Sequence, residues 1–326
     1  MEKIAITVGD PGGVGPEVIV KAVSWIGKNQ YCNPIVIGDI GTVKDAVKLT
    51  GLPFEVAGIS SPSESEPSEE RIEVIDIGSS DTFKRNAPSA EAGRAAVSSI
   101  RKAVELALNR EVSAIVTAPL SKESLKMAGY KWPGHTEMLA ELTDTEDFAM
   151  MFFSDKLKVV LCTIHKALRD VPDLITKEIV YKTIKHAVNA AGLLKIYEPA
   201  IAVAGLNPHA GESGLFGYEE RDIIMPAIEQ TVSEGLPVSG PYPPDVIFHK
   251  AYKGEFDIVV CMYHDQGLIP FKMLTFDIGV NVTLGLPLIR TSPDHGTAFD
   301  IAWNNIANPS SMIEAIKLTS KLKIEI

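Results

Sequence analysis

The chain opens on Ile4-Ala-Ile-Thr-Val8 and runs straight into Gly9-Asp-Pro-Gly-Gly-Val-Gly-Pro-Glu17, and this junction decides how the rest is read. A short, β-branched apolar run closed by glycine reads as a buried strand. The glycines that follow permit positive φ and close approach of the backbone, and Pro16 suits the first turn of a helix. Strand, glycine turn and helix in that order begin an α/β fold. The spacing does not match the dinucleotide fingerprint Gly-x-Gly-x-x-Gly, so a Rossmann domain is not expected. On these residues alone, a structural turn and a direct ligand contact remain equal readings.

The same alternation continues outward. Ile35–Ile37, Ile72–Ile77, Ala114–Val116, Val159–Thr163, Ala200–Ala204, Ile258–Met262 and Val280–Thr283 are short and largely apolar, and most are followed closely by Gly or Pro, as buried strands are. Between them, Ala90–Asn109 places Val97, Ile100, Val104, Ala107 and Leu108 on one helical face. Lys177–Leu194 does so with Val180, Ile184, Ala187, Val188 and Ala191, and Glu219–Glu234 and Ser310–Lys321 are further helices. Such alternation predicts a largely parallel sheet with helices on both sides, whose ligands bind at strand C-terminal ends. Ser60–Glu70, rich in Ser, Pro and Glu, reads as a solvated surface loop.

The bulk properties narrow the function. With 31 basic and 42 acidic residues the net charge is −11, and no Lys/Arg block is present, so nucleic-acid and membrane-surface partners are not expected. Cys32, Cys162 and Cys261 are far apart and odd in number, which fits reduced thiols rather than disulfides. No apolar run approaches the roughly 20 residues of a membrane span, and the N-terminus shows no signal-peptide pattern, so the cytoplasm is expected.

Several residues carry chemistry. His165, His209 and His264 each lie just after a strand, the last two in polar stretches that contain glycine. Neutral imidazoles ligate divalent ions, and three of them leave a position for substrate; each taken singly reads equally as a capping or hydrogen-bonding group. In Pro133-Gly-His-Thr-Glu-Met138, Thr136 and its neighbouring N–H groups can open a helix and hold an anion, with His135 as a further donor; an ordinary cap is the alternative. Lys272 and Arg290 lie in apolar runs, with Asn281 between them on a strand, and a cation so placed calls for a phosphate, a carboxylate or an internal salt bridge. Ser292-Pro-Asp-His-Gly-Thr-Ala-Phe-Asp-Ile-Ala302 reads as a glycine turn leading into a short helix begun near Thr297.

Taken together, Gly9–Glu17, Thr117-Ala-Pro-Leu-Ser-Lys122, Gly134-His-Thr-Glu, Leu206-Asn-Pro-His-Ala-Gly-Glu212, Tyr263-His-Asp-Gln-Gly267 and Asp294-His-Gly-Thr-Ala resemble the 4-hydroxythreonine-4-phosphate dehydrogenase family of pyridoxal phosphate biosynthesis. The resemblance runs from Ile4 to the C-terminal helix. The last motif also looks like the adenosine-binding segment of isopropylmalate dehydrogenases. It implies the two-lobed α/β/α fold of β-decarboxylating dehydrogenases, with one lobe of residues 1–130 plus 281–326, a second of 131–280, and a site in the cleft between them. It further implies NAD or NADP as cofactor, one divalent metal (Zn, Mg or Co), and a homodimer with a shared site.

Carried over by position, His165, His209 and His264 are the implied metal ligands. His135, Thr136, Lys272, Asn281 and Arg290 are implied to bind a small phosphorylated hydroxy acid. Asp294, His295, Gly296 and Thr297 are implied to hold the cofactor's adenosine. Lys272 and Asp245, the latter in Pro-Pro-Asp-Val-Ile-Phe, are the candidate bases. The implied reaction is oxidation of 4-phosphooxy-L-threonine followed by decarboxylation. Relatives acting on 4-phospho-D-threonate, 4-phospho-D-erythronate or a ring diol would use the same motifs, and a catalytically silent metabolite-binding protein is the reading from another class. One departure stands out: where the pattern continues Gly-Lys-Gly, this chain has Trp303-Asn-Asn305, a bulky replacement in the cofactor loop.

Overall fold

A computed structural model describes residues 1–78 and 83–323. The strands are β1 (Lys3–Thr7), β2 (Asn33–Gly38), β3 (Glu55–Ile59), β4 (Arg71–Asp76), β5 (Ala114–Thr117), β6 (Ala149–Phe153), β7 (Lys158–Leu161), β8 (Ile201–Ala204), β9 (Val238–Tyr242), β10 (Ile258–Cys261), β11 (Val280–Leu284) and β12 (Ile289–Pro293). The chain forms two compact units, one of Met1–Glu146 with Leu286–Leu322, the other of Asp147–Gly285 with Lys323–Ile326.

In the first unit the strand order is β3-β4-β2-β1-β5-β12, and every one of these pairings is parallel. This departs from the Rossmann order. Ile4, Ala5 and Ile6 of β1 are all wholly buried, as expected of a parallel strand covered on both faces. The covering helices are α1 (Gly15–Asn29), α2 (Ile40–Thr50), α3 (Ala90–Leu108), α4 (Lys122–Met127) and α5 (His135–Leu142), with Ser310–Lys321 near the C-terminus. Helix α3 is capped by the Ser89 hydroxyl, which accepts from Ala92 N, and it buries Val97, Ile100 and Val104 against the sheet. The Ser-rich segment is largely exposed, as its composition suggests, and is pinned at Pro62 and Ser65. Pro62–Glu64 makes a single 3₁₀ turn, and buried Ser65 is tied to Asn33 and to buried Glu73.

In the second unit the order is β11-β6-β7-β10-β8-β9. Here β6 runs antiparallel to both neighbours, while β7-β10-β8-β9 are parallel. Its helices are α6 (Val171–Leu174), α7 (Lys177–Leu193), α8 (Met225–Ser233), α9 (Pro244–Tyr252) and α10 (His264–Thr275); Ser310–Lys321 of the first unit is then α11. The expected helix over Glu219–Glu234 is present, but its first stretch, Glu220–Ile224, is a π-turn rather than regular α-helix. Phe271, Leu161, Val259 and Ala202 lie at the centre of this unit's core. No helix among the described residues is long and apolar enough to cross a membrane.

Candidate active site

In the first unit the motif-bearing loops leave the C-terminal ends of three adjacent strands, β1, β5 and β12. Thr7 and Thr117 stand in register on β1 and β5, and Arg290 lies opposite Ile115 on β12. Arg290 is 2% exposed, and it donates to Thr117 Oγ1 from Nε at 3.2 Å and from Nη2 at 2.7 Å. Burial presses the guanidinium down to about 9, which still leaves it charged at neutral pH. Beside it stands His135, whose Nε2 is buried and has no hydrogen-bond partner. Burial first, and the Arg290 charge second, hold this imidazole well below its usual 6.5.

Helix α5 begins at His135 itself, after Gly134, which makes no side-chain cap. Thr136, expected to open the helix, lies buried in its first turn. A buried cation, an unpartnered buried imidazole nitrogen and helix N–H groups form an environment suited to an anion.

The loop after β12 has a different character. Asp294 N donates to Ser311 Oγ at 3.0 Å, and the His295 Nδ1 lies 3.0 Å from Gly296 O. The Nε2 of His295 is buried without a partner, and a Cβ at Gly296 would meet nothing, so the loop offers a polar group and room beside it. No helix begins near Thr297: the chain passes through successive turns to Asn305, and the next helix is α11. The reason is local backbone, since Ala298, Trp303 and Asn305 are left-handed, with φ of 41°, 59° and 59°. The Gly-Lys-Gly departure thus keeps left-handed backbone at positions 303 and 305 without glycine. Trp303 folds inward, and its indole donates to Pro11 O at 3.0 Å while the Arg85 guanidinium lies 4.0 Å over the ring.

The opening Gly9–Glu17 turn meets this same loop. Val14 N donates to Thr297 O at 2.9 Å, and a Cβ at Gly13 would stand 2.8 Å from that oxygen. Gly9 is also required, since its φ is +70° and a Cβ there would stand 2.3 Å from Pro119 O. These contacts give the motif a structural role.

In the second unit the three histidine loops leave β7, β10 and β8, which are neighbours in the sheet. His165 and His264 come together, with ring centroids 5.6 Å apart. His264 Nδ1 lies 2.7 Å from the Asp265 carboxylate, an arrangement that orients the ring. His209 projects from a turn in which five successive residues, His209 to Ser213, are left-handed, and its ring lies 6.0 Å from that of Phe216. Among the described residues, no three His, Cys, Asp or Glu side chains of one chain gather as a metal-holding group. The donor types nonetheless suit a divalent cation, since neighbouring, carboxylate-oriented imidazoles are what such an ion takes. Lys272 is partly buried in the last turn of α10, Asp245 is exposed in the first turn of α9, and Asn281 is 9% exposed on β11 opposite Phe152.

Over residues 30–319 the sequence matches the family described as "Pyridoxal phosphate biosynthetic protein PdxA". The chain belongs to this family. A 4-hydroxythreonine-4-phosphate dehydrogenase of Trichlorobacter lovleyi is 47% identical, covering 98% of this chain and 97% of the relative. A D-threonate 4-phosphate dehydrogenase of Salmonella typhimurium is also 47% identical, covering 98% of both. A crystal structure of 4-hydroxythreonine-4-phosphate dehydrogenase from Klebsiella pneumoniae, 44% identical, superposes with a TM-score of 0.89 over 98% of each chain. The expected family, its two-unit α/β fold and its dehydrogenase class are therefore those of this PdxA-family chain.

Three supporting residues escaped sequence reading. Thr117, the acceptor for Arg290, lies in a quoted motif, but nothing in its spacing reveals its partner. Buried Glu220 accepts from Leu206 N at 2.8 Å and Asn207 N at 2.7 Å, fixing the approach to His209. Buried Gln266 accepts from Met262 N and donates to Gly205 O, both at 2.7 Å, tying the His264 loop to the His209 loop. Both look like surface helix residues in the sequence.

Proposed function

We propose that this PdxA-family chain is a metal-dependent NAD(P) dehydrogenase that oxidises 4-phosphooxy-L-threonine and decarboxylates the product to 3-amino-2-oxopropyl phosphate. The observation that carries the reading is the Arg290–His135 pair. A buried guanidinium beside an unpartnered buried imidazole nitrogen is built to receive a phosphate-bearing anion. We assign substrate binding to these two residues with Thr136, Lys272 and Asn281, metal binding to His165, His209 and His264, and adenosine binding to Asp294–Thr297. Bound there, a divalent cation would lower the pKa of the substrate hydroxyl and stabilise the enolate charge left when CO2 departs, and a nicotinamide would supply the hydride acceptor.

The chain's own groups do the rest. Arg290 and the N–H groups at the start of α5 fix the phosphate end, so that the hydroxyl is presented in one orientation. Lys272 or Asp245 accepts the hydroxyl proton as hydride leaves the same carbon. The β-keto acid so formed loses CO2, and the carbon left behind takes up a proton. We assign the working form to a homodimer that shares the site. Exposed Ile269, Met273 and Phe276, on and just after the helix that begins with His264, supply an apolar face for a second copy.

A second reading has specific support, because relatives of equal identity are named D-threonate 4-phosphate dehydrogenases. The residues assigned here engage phosphate, metal and cofactor, which both substrates share. A panel of 4-phosphooxy-L-threonine, 4-phospho-D-threonate and 4-phospho-D-erythronate, followed by nicotinamide absorbance, tests the function. Turnover highest on the first supports the main reading, and highest on either of the others supports the second. Cofactor binding without turnover of any would overturn both.

A further inference from the structure

We infer that Glu17 and Trp303 are positioning residues that hold the segment from Thr297 to Ala307 in the conformation that accepts the dinucleotide. The inference rests on the reading of Asp294–Thr297 as the adenosine-binding residues. Glu17 lies in the first turn of α1 and is 1% exposed. Its carboxylate accepts from Ala307 N at 2.8 Å and from Asn305 N at 3.3 Å, and it pairs with Lys21 Nζ at 2.8 Å. Lys21 closes the ring by donating to Ala307 O at 3.0 Å. A carboxylate this deeply buried needs such partners, and the loop supplies two of the three.

The loop in turn needs holding. Ala298, Trp303 and Asn305 are left-handed without being glycine, a conformation that persists only where surrounding contacts impose it. Those contacts come from the first turn and its surroundings. Trp303 donates to Pro11 O, Val14 donates to Thr297 O, and Asn86 donates from its side chain to Phe299 O and Ala302 O. Asn86 N in turn donates to Gly12 O at 2.9 Å, and the Asp10 carboxylate is fixed by Ser124 Oγ at 2.6 Å and Gly12 N at 2.9 Å. At the loop's start, the buried unpartnered Nε2 of His295 is the group that a ligand would satisfy. Glu17 and Trp303 touch none of the residues assigned to phosphate or metal in the contacts above, so their influence falls on the cofactor alone.

The test is calorimetric titration of NAD into the full-length protein and its Glu17→Gln, Trp303→Phe and His295→Ala variants. Substrate and NAD KM values and bound metal are measured on the same preparations. Glu17→Gln keeps the shape but removes the charge, and should raise the NAD Kd about tenfold or more, a charge-assisted bond being worth that much. Trp303→Phe keeps the ring and loses the indole N–H, and should raise it several-fold. Substrate KM and metal content should not move, which a merely structural defect would not spare. Unchanged NAD affinity in Glu17→Gln and Trp303→Phe, with His295→Ala weakened, overturns the inference and leaves the adenosine reading standing. Equal damage to substrate and NAD binding overturns it as well. Should His295→Ala also bind NAD normally, the adenosine reading falls and takes this inference with it. If Glu17→Gln does not fold, Trp303→Phe decides.

Discussion

Arg290 and Thr117 stand on adjacent parallel strands, and the guanidinium gives two of its N–H groups to one threonine hydroxyl, from Nε at 3.2 Å and from Nη2 at 2.7 Å. The buried cation is thereby oriented before any anion arrives. Thr117→Val keeps the β-branched shape that β5 needs and removes the acceptor. A hydrogen bond to a charged group contributes about 1.5–3 kcal/mol, so unfolding free energy should fall by about that amount in urea titrations. Phosphate affinity should fall with it, because the guanidinium is no longer aimed. Thr117→Ser should restore most of both. A Val variant with unaltered phosphate affinity would show that β12 alone positions Arg290.

Arg290 itself is the stronger test of the phosphate assignment. Arg290→Ala should raise the substrate KM about tenfold to a hundredfold, since losing a charged partner costs about 1.5–3 kcal/mol. NAD affinity should hardly change. Comparable losses of NAD and substrate binding would place Arg290 in a purely structural role.

These residues show what the sequence discloses and what it hides. Eight strands were legible because Ile4–Val8, Ile258–Met262 and their like are buried on both faces and therefore continuously apolar. The four that were not legible each break that rule for a physical reason. β3 is a half-exposed edge strand, and β9 carries Gly240-Pro241 at the opposite edge of its own sheet, where proline is tolerated. β6 is built from Met and Phe rather than β-branched residues, and β12 is polar because it carries Arg290. Histidines placed just after strands could be picked out because their setting is local. Supports such as Thr117, Glu220 and Gln266 could not, since each acts on a loop distant in sequence. The turn from Thr297 has the sequence of a short helix, because left-handed φ at Ala298 and Trp303 has no signature in those residue types.

His135 gives a dependence on pH with a definite sign. Burial and the Arg290 charge hold its imidazole well below 6.5, so below that pH the unfolded chain binds a proton that the folded chain refuses. Stability from this site is therefore full above the unfolded value and is lost as pH falls toward the folded one. The slope is at most about 1.4 kcal/mol per pH unit for one proton. His135→Asn should flatten the wild-type slope of unfolding free energy between about pH 6.5 and pH 5 by up to one proton. A bound phosphate opposes the Arg290 charge and raises His135, so phosphate binding at mildly acidic pH should take up protons. Calorimetry in buffers of different ionisation enthalpy would show this, and proton release instead would contradict it.

The metal assignment turns on His209, the proposed ligand with the least ordinary backbone. Four non-glycine residues in succession around Gly211 adopt positive φ, at 54°, 53°, 43° and 57°, and Glu220 anchors the chain just before them. Sustained left-handed backbone costs about 1–2 kcal/mol per residue, which a turn with no further duty would be expected to shed. If the turn exists to present an imidazole, His209→Ala should fold normally, since His209 is exposed and its ring neighbour Phe216 is exposed as well. It should also purify with little bound divalent metal and lose turnover. Chelator should abolish wild-type activity and added Zn, Mg or Co should restore it, whereas neither should affect the variant. Glu220→Gln separates loop shape from ligand identity. It keeps His209 but weakens the acceptor for Leu206 N and Asn207 N, so metal affinity should fall part-way and excess metal should recover activity. A His209→Ala protein that turns over fully without metal would remove the metal from the mechanism.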